Sequence, residues 1–164
     1  MFNYSDNGLL TDNSRGVASI APLDAQLASW KKLDPGISEI GFIVGEGHER
    51  LIEAATLAAL EQDVNLIVRV SHSDQETLYF YKRMVADIDG FWMMPDNRIL
   101  SARVIREILD DAHRRNVAVV VSHDAILPMG AAISFTTSAS NIAETIVGVL
   151  RQVNAGGIAS VPEL

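Results

Sequence analysis

The chain has 164 residues, 48% of them hydrophobic and 21% charged, and this size and composition predict one globular domain. The formal net charge of −8 at pH 7 argues against a nucleic-acid partner, because phosphate binding requires a basic face. The chain has no cysteine, which excludes disulfides and thiolate sites, and its apolar runs are too short to insert into a membrane.

Residues 1–20, which are rich in Asn, Asp, Ser and Gly, are predicted to be an extended lead-in, and residues 21–164 a single α/β domain. The first residues, MFNYSDNGLLTDN, have neither a basic start nor an apolar core segment, so they are not predicted to be a signal peptide. A first helix is predicted over residues 23–33, beginning after Pro22.

Apolar segments of strand length then alternate with segments of helical periodicity. Five buried strands are predicted, over residues 39–45, 65–71, 90–95, 117–122 and 131–137. Apolar helix faces are predicted over residues 51–59, 78–85, 99–112 and 142–150, with a stop over residues 154–157. Apolar strands joined by helices form parallel sheets covered on both faces. The predicted fold class is therefore α/β, a three-layer sandwich with a five-stranded parallel sheet in the order 2-1-3-4-5.

The loops that follow the strands are predicted to form the functional face, because ligands of open parallel sheets bind beyond the carboxyl ends of the strands. Asp96 and Asn97 follow the third strand, and a carboxylate beside an amide can hold an ammonium or hydroxyl group of a small ligand. The alternative for Asn97 is a cap on the next helix. Ser73, with Asp74 and Glu76 behind it, instead indicates the start of a helix.

Catalytic and metal-binding interpretations of the same loops have less support. SHSD at 71–74 and SHD at 122–124 contain Ser, His and Asp, but neighbours in one loop rarely reach triad geometry and no GxSxG motif is present. GEGHE at 45–49 allows the backbone to approach an anion, although it is not a P-loop. No known metal-ligand spacing matches the four candidates at this edge, which are His48, His72, His123 and Asp96. The prediction is a protein that is not an enzyme, with no catalytic residue, no metal and no cofactor.

Four segments together resemble a known family. They are DNSRGVASIAPLDAQLASWKKLDPGISEIGFIV, DIDGFWMMPDNRILSA, NVAVVVSHDAILPMGAAISF and VLRQVNAGGIASVPEL. The chain resembles the ABC transporter substrate-binding proteins, which have the type 1 periplasmic solute-binding protein fold, and mainly their second, C-terminal lobe. The resemblance implies a flavodoxin-like lobe over residues 37–130.

By this resemblance, Asp96 and Asn97 would face the ligand, and three neighbouring residues would line the same cleft, Ser71, Ser73 and Asp124. One feature departs from the family, because GEGHER follows the first strand in place of an Asn-Pro-Ser type loop. The resemblance also implies an ABC permease or a signalling partner and a periplasmic or extracellular location. The absence of a signal peptide leaves a cytoplasmic location open.

A second departure from the family is that most of the first lobe is absent. The helix over residues 141–152, which packs on that lobe in the family, has an apolar face to bury on its own sheet or on a second copy of the chain. This predicts a homodimer.

The predicted function is non-catalytic binding of a small amino-acid-like or other polar solute by the loops at the strand ends. The alternative is a regulatory or sensory interaction domain that keeps the fold, has lost the ligand pocket and acts through dimerisation. The two predictions differ in whether a small solute binds at all.

Overall fold

The computed structural model describes residues 20–156, apart from the side chains of residues 155 and 156. The predicted lead-in therefore lies outside the described residues except for Ile20, as does the chain after residue 156. The chain divides into two compact units, Pro22–Phe135 and a smaller one made of Met1–Ala21 with Thr136–Leu164. The predicted single domain over residues 21–164 stays a prediction.

The larger unit alternates helices and strands along the chain. Its elements are α1 (Leu23–Leu33), β1 (Glu39–Gly45), α2 (Glu49–Glu61), β2 (Asn65–Ser71), α3 (Asp74–Met84), β3 (Gly90–Met93), α4 (Ala102–Arg115), β4 (Ala118–Val121), a short 3-10 helix (Asp124–Met129) and β5 (Ile133–Ser134). The predicted bounds of α1, β1 and β2 are confirmed.

All five strands pair in parallel, in the order β2-β1-β3-β4-β5. The register sets Phe42 of β1 beside Trp92 of β3, and Trp92 beside Val120 of β4. The chain winds outward from β1 to β2, returns across β1 to β3, and continues outward to β5. The predicted fold class, strand direction and strand order are therefore confirmed.

Helices cover both faces of the sheet, α1 with α2 on one face and α3 with α4 on the other. On the first face, Trp92 Nε1 donates to Gln26 Oε1 of α1 at 3.2 Å, and the Trp92 ring lies 5.5 Å from the Phe42 ring. On the second face, the Tyr81 ring of α3 meets the Phe91 ring edge-on at 5.2 Å. Because consecutive strand residues point to opposite faces, Phe91 and Trp92 anchor the two layers, and the three-layer sandwich is confirmed.

The prediction of five buried strands is wrong at the two edges of the sheet. β2 has β1 as its single neighbour, and Arg69 and Val70 are exposed. β5 has two residues, and both are only partly buried. An edge strand is covered less than a central one, so an apolar run alone does not imply burial.

Several predicted boundaries also differ from the structure. β3 ends at Met93 rather than at residue 95, and Pro95 has no backbone N–H to donate to a neighbouring strand. Both β4 and β5 are shorter than predicted. Ile99 is buried in the turn before α4 rather than on the helix, which begins at Ala102. The predicted helix stop is wrong at its start, because the last helix continues to Gly156, and residue 157 lies outside the described range.

The structure describes residues 20–21 and 136–156 of the smaller unit. Ile20 forms an isolated antiparallel bridge with Thr136. The helix α5 (Ala139–Gly156) follows Ser138, whose Oγ accepts a hydrogen bond from the Asn141 backbone N–H at 3.1 Å. Three of its large apolar side chains are exposed, Ile146, Val147 and Leu150. Across the described residues, no helix is long and apolar enough to span a bilayer.

Candidate functional site

The strand ends of β1 and β3 meet where the winding of the sheet reverses. β1 leads into α2 on one face, whereas β3 leads toward α4 on the other. Neighbouring connections that diverge in this way leave a crevice at the carboxyl edge of the sheet, where ligands of open α/β folds bind. His48 from the first loop and Asp96 from the second meet there, with His48 Nε2 3.4 Å from Asp96 Oδ2. Both side chains are almost completely buried.

The Asp96 carboxylate is bound by Arg98, two residues further along the chain. The Arg98 backbone N–H and Nε both donate to Oδ1 at 3.0 Å, and Nη2 donates to Oδ2 at 2.7 Å. The Asp96 carbonyl also accepts the backbone N–H groups of Ile99 at 3.2 Å and Leu100 at 2.9 Å. The PDNR segment therefore folds into a tight turn that returns the guanidinium onto the carboxylate as a two-pronged ion pair.

Asp96 is ionised in this arrangement. Burial raises the pKa of the Asp96 carboxyl, but the hydrogen bonds and the charge of Arg98, with a smaller contribution from His48, outweigh burial and hold that pKa below its usual value. The side-chain hydrogen bonds to Asp96 raise the pKa of the Arg98 guanidinium, and the charges of Asp96 and Glu46 add to this effect. The pair is a buried anion neutralised by a partly exposed cation.

The last residue of β1, Gly45, makes room for the ion pair. A Cβ atom at this position would lie 2.4 Å from Asp96 Oδ2 and 2.8 Å from Arg98 Nη2. Real Cβ atoms do not approach other atoms so closely, so any larger residue would displace the pair. Gly45 thus lies beneath the site, where side chains from the turn after β3 pack against its backbone.

The Arg98 side chain extends from the buried Asp96 carboxylate to the protein surface. Its side chain is 50% exposed, compared with 3% for Asp96. Its Nη2 also lies 3.2 Å from His48 Nε2, whereas Nη1 forms no hydrogen bond with the described part of the chain. Nε and Nη2 are therefore held against the protein, and Nη1 is open.

An exposed histidine beside the pair links two acids. His72 Nδ1 lies 3.1 Å from Glu76 Oε2, and His72 Nε2 lies 3.9 Å from Glu46 Oε2. Glu76 Oε2 also accepts the His72 backbone N–H at 2.7 Å. The backbone and side-chain hydrogen bonds from His72 hold the pKa of Glu76 below its ordinary value. The rim of the site therefore carries charges of both signs.

Ser71 and Ser73 use their hydroxyl groups to join β2 to α3. The fully buried Ser71 hydroxyl donates to the Ser73 carbonyl at 2.9 Å and accepts from Thr77 Oγ1 at 2.9 Å. Ser73 Oγ accepts the backbone N–H of Glu76 at 3.2 Å, which confirms the predicted helix start. A role for either serine as a ligand contact stays a prediction.

The Asn97 and Asp124 side chains are both exposed. The capping alternative for Asn97 is wrong, because Ser101 is the N-cap of α4 and its Oγ accepts the Val104 backbone N–H at 3.3 Å. Asp124 begins the 3-10 helix after β4, behind His123, whose Nδ1 accepts the Ala125 backbone N–H at 3.3 Å. Ligand contacts by Asn97 and Asp124 stay predictions as well.

The sequence reasoning placed Asp96 at this edge but missed its partner Arg98 and the glycine beneath it. An arginine two residues after an aspartate, in a turn that follows a strand, is a pattern that could have indicated the pair. His48 was considered only as a metal ligand. In the described part of the chain, no group of three or more His, Cys, Asp or Glu side chains could hold a metal ion.

A five-stranded parallel sheet in this order matches the flavodoxin-like lobe of periplasmic binding proteins. No family model and no curated protein matches the sequence. Solved structures do match by fold. A conserved domain protein of Vibrio cholerae shares 15% identity at a TM-score of 0.74, covering 99% of this chain and 57% of that one.

Two further matches have titles that describe their function. An ABC domain from Streptococcus pneumoniae, in complex with L-Trp, is 19% identical at a TM-score of 0.68, covering 91% of this chain and 51% of that one. A ligand-free, open substrate-binding protein with adhesive properties from Clostridium difficile is 15% identical at a TM-score of 0.68, covering 99% of this chain and 58% of that one. The predicted resemblance is thus confirmed as a likeness of fold, and the chain spans little more than half the length of these neighbours.

Proposed function

We propose that the unit Pro22–Phe135 is a non-catalytic lobe that binds a small polar solute, such as an amino acid, at the carboxyl edge of its sheet. The observation that carries this proposal is the Asp96–Arg98 pair, which lies over Gly45 at the switch point with its carboxylate buried and its cation half exposed. Burial of a charged pair does not by itself stabilise a fold, because desolvation offsets the attraction. Because the pair lies at the edge where ligands bind and the Arg98 side chain is half exposed, ligand recognition explains the pair better than stability does.

The loops at this edge supply the proposed contacts. Arg98, Asn97 and Asp124 are exposed and contact the solute directly. Asp96 acts by holding Arg98, while Ser71 and Ser73 fix the neighbouring loop through α3. None of these roles requires a covalent step, which is why we propose binding without catalysis. The neighbours described as a substrate-binding protein and an L-Trp complex support the same class.

A thermal-shift screen of amino acids and related small solutes tests the proposal. A ligand present at roughly 100 times its Kd stabilises the folded state by about 2.7 kcal/mol. For a chain of this size, that free energy raises Tm by about 5–10 °C. We expect at least one solute to produce such a shift in the unmodified protein.

Two glycine variants locate the binding site. Gly45→Ala moves the ion pair and should weaken the solute-induced shift, whereas Gly36→Ala should preserve it, because its Cβ would lie at an ordinary 3.4 Å from Asp34 Oδ1. If no solute stabilises the protein, or if both variants respond like the unmodified chain, binding at this edge is wrong.

A second candidate is an interaction domain that acts through dimerisation. The observation that favours it is the exposure of Ile146, Val147 and Leu150 on α5, since burying an apolar face in a second copy stabilises association. Light scattering of the unmodified chain and of an Ile146→Asp, Leu150→Asp double variant tests it. A dimer that the double variant abolishes supports this candidate, and a monomer at all concentrations refutes it.

The same proposal includes an ABC permease or signalling partner and a periplasmic or extracellular location. Both rest on the fold likeness alone. Fractionation of cells that produce the natural protein would test the location. Recovery in the cytoplasm would remove a solute-import role and leave the interaction role.

A further inference from the structure

We infer that the site binds the carboxylate end of its solute through Arg98, rather than an ammonium group through Asp96. This inference rests on the proposed function, because it names the chemical class of ligand for the same site. It reverses the charge preference predicted from the sequence, in which the aspartate was to hold an ammonium group.

Asp96 has no free position for a ligand. Its Oδ1 accepts the Arg98 backbone N–H and Nε, and its Oδ2 accepts Nη2 while lying 3.4 Å from His48 Nε2. Its side chain is 3% exposed. An ammonium group could reach the carboxylate only by displacing Arg98. That exchange breaks a two-pronged ion pair and places a second cation beside the first.

Arg98, in contrast, presents an open donor edge. Its Nη1 forms no hydrogen bond with the described residues, and half of its side chain is exposed. The two-pronged hydrogen bonding to Asp96 fixes the plane of the Arg98 guanidinium before a ligand binds, which reduces the conformational entropy lost on binding. Nη1 keeps both of its N–H groups for a ligand, and a hydrogen bond from a guanidinium to a carboxylate is charge-assisted.

The surrounding charges set the strength of this interaction. α2 begins directly after His48, so the positive end of its dipole lies at the same edge and favours an anion. Glu46, the His72–Glu76 pair and the net charge of −8 oppose an anion. A bare anion is therefore held weakly, and the ligand is a carboxylate that also carries an apolar or hydrogen-bonding group.

Calorimetric titration with matched probes separates the two charge preferences. The three probes of each series share a side group. The phenyl series is L-phenylalanine, 3-phenylpropionate and phenethylamine, and the indole series is L-tryptophan, indole-3-propionate and tryptamine. We expect 3-phenylpropionate or indole-3-propionate to bind, and we expect neither phenethylamine nor tryptamine to bind. Binding of the amines without the carboxylates overturns the inference and leaves the proposed function standing.

Two variants then assign the carboxylate to Arg98. Arg98→Gln should lower the affinity for the carboxylate probe by at least about tenfold, because hydrogen bonds to charged groups are the stronger ones. Arg98→Lys, which keeps the charge without the fork, should lower it less. Arg106→Gln is the matched control, since Arg106 is an exposed arginine on α4, and it should bind like the unmodified protein.

Arg98→Gln leaves Asp96 buried without its cation and can reduce folding. The double variant Asp96→Asn, Arg98→Gln removes both charges and so leaves no buried ion unpaired, and it serves as the folded comparison. If this double variant folds and binds the carboxylate probe as tightly as the unmodified protein, the inference is refuted. If no probe and no solute from the broader screen binds the unmodified protein, the proposed function fails and the inference fails with it.

Discussion

Gly45→Ala is the substitution that most directly tests whether the ion pair lies where the structure places it. The new Cβ would lie 2.4 Å from Asp96 Oδ2 and 2.8 Å from Arg98 Nη2, so both atoms have to move, Oδ2 by about 1 Å, to reach ordinary contact. Such a shift disrupts the 2.7 Å bond between Nη2 and Oδ2. Loss of a charge-assisted hydrogen bond costs about 1.5–3 kcal/mol.

A smaller effect acts in the opposite direction. Alanine restricts the unfolded chain more than glycine does, which stabilises the folded state by about 0.4–1 kcal/mol. We therefore expect Gly45→Ala to lower the free energy of unfolding by about 1–2 kcal/mol. Gly36→Ala carries the same unfolded-state effect without a clash, because its Cβ would lie 3.4 Å from Asp34 Oδ1.

Urea unfolding followed by circular dichroism measures both variants. Because the two share the change from glycine to alanine, the difference between them isolates the clash with the ion pair. Repeating Gly45→Ala in an Asp96→Asn, Arg98→Gln background should shrink its effect, since no ion pair is then disrupted. A Gly45→Ala variant as stable as Gly36→Ala, or one equally destabilised in both backgrounds, would refute the position assigned to the pair.

Three further predictions concern stability. Asp96→Asn should flatten the loss of stability in acid relative to an Asp110→Asn control, as measured by urea unfolding at several pH values. The pKa of Asp96 is lowered from 3.8 on folding, so the pair stabilises the fold above that pH and is lost as the pH falls through the folded-state value; an unchanged acid slope contradicts this. Tyr81→Phe should leave stability unchanged or raise it by up to about 1 kcal/mol in thermal unfolding, because the buried hydroxyl has no hydrogen-bond partner in the described residues; a clear loss would reveal a partner. Ser101→Ala should lower stability by about 1 kcal/mol through the lost helix cap, whereas Asn97→Ala should change it by less than about 0.5 kcal/mol in the same urea assay; the reverse order would restore Asn97 as the cap.

Much of the fold follows from features that act locally. The apolar runs at 39–45 and 65–71 match β1 and β2 residue for residue, because strand length and flanking turns leave little freedom for another assignment. Right-handed crossover connections reduce the possible strand orders, and 2-1-3-4-5 is the leading one for five parallel strands. That same order already placed β2 at an edge, so its exposure could have been predicted if topology had been given more weight than the apolar pattern.

The site was less predictable, because its geometry depends on a turn and on a neighbouring strand. The position of Asp96 follows from β3, but its pairing with Arg98 depends on the backbone turn that aims both side chains at each other. The space that Gly45 leaves for the ion pair depends on how β1 and β3 align, and this alignment cannot be predicted from either segment alone. Local patterns therefore locate the residues of a site more readily than they reveal which side chain remains open to a ligand.

The chemistry predicted for Asp96 and the chemistry inferred for Arg98 are alternatives at this edge. A carboxylate that already accepts from Nε, Nη2 and a backbone N–H has used the positions that an ammonium group would need. Neutralising Asp96 also weakens the attraction for a cation at this edge, while the open Nη1 of Arg98 leaves a hydrogen-bond donor at the surface. The PDNR turn thus neutralises the aspartate at the strand end, and it does so with a residue only two positions further along the chain. Sequence positions of acids alone are consequently a poor guide to ligand charge wherever an arginine can fold back onto them.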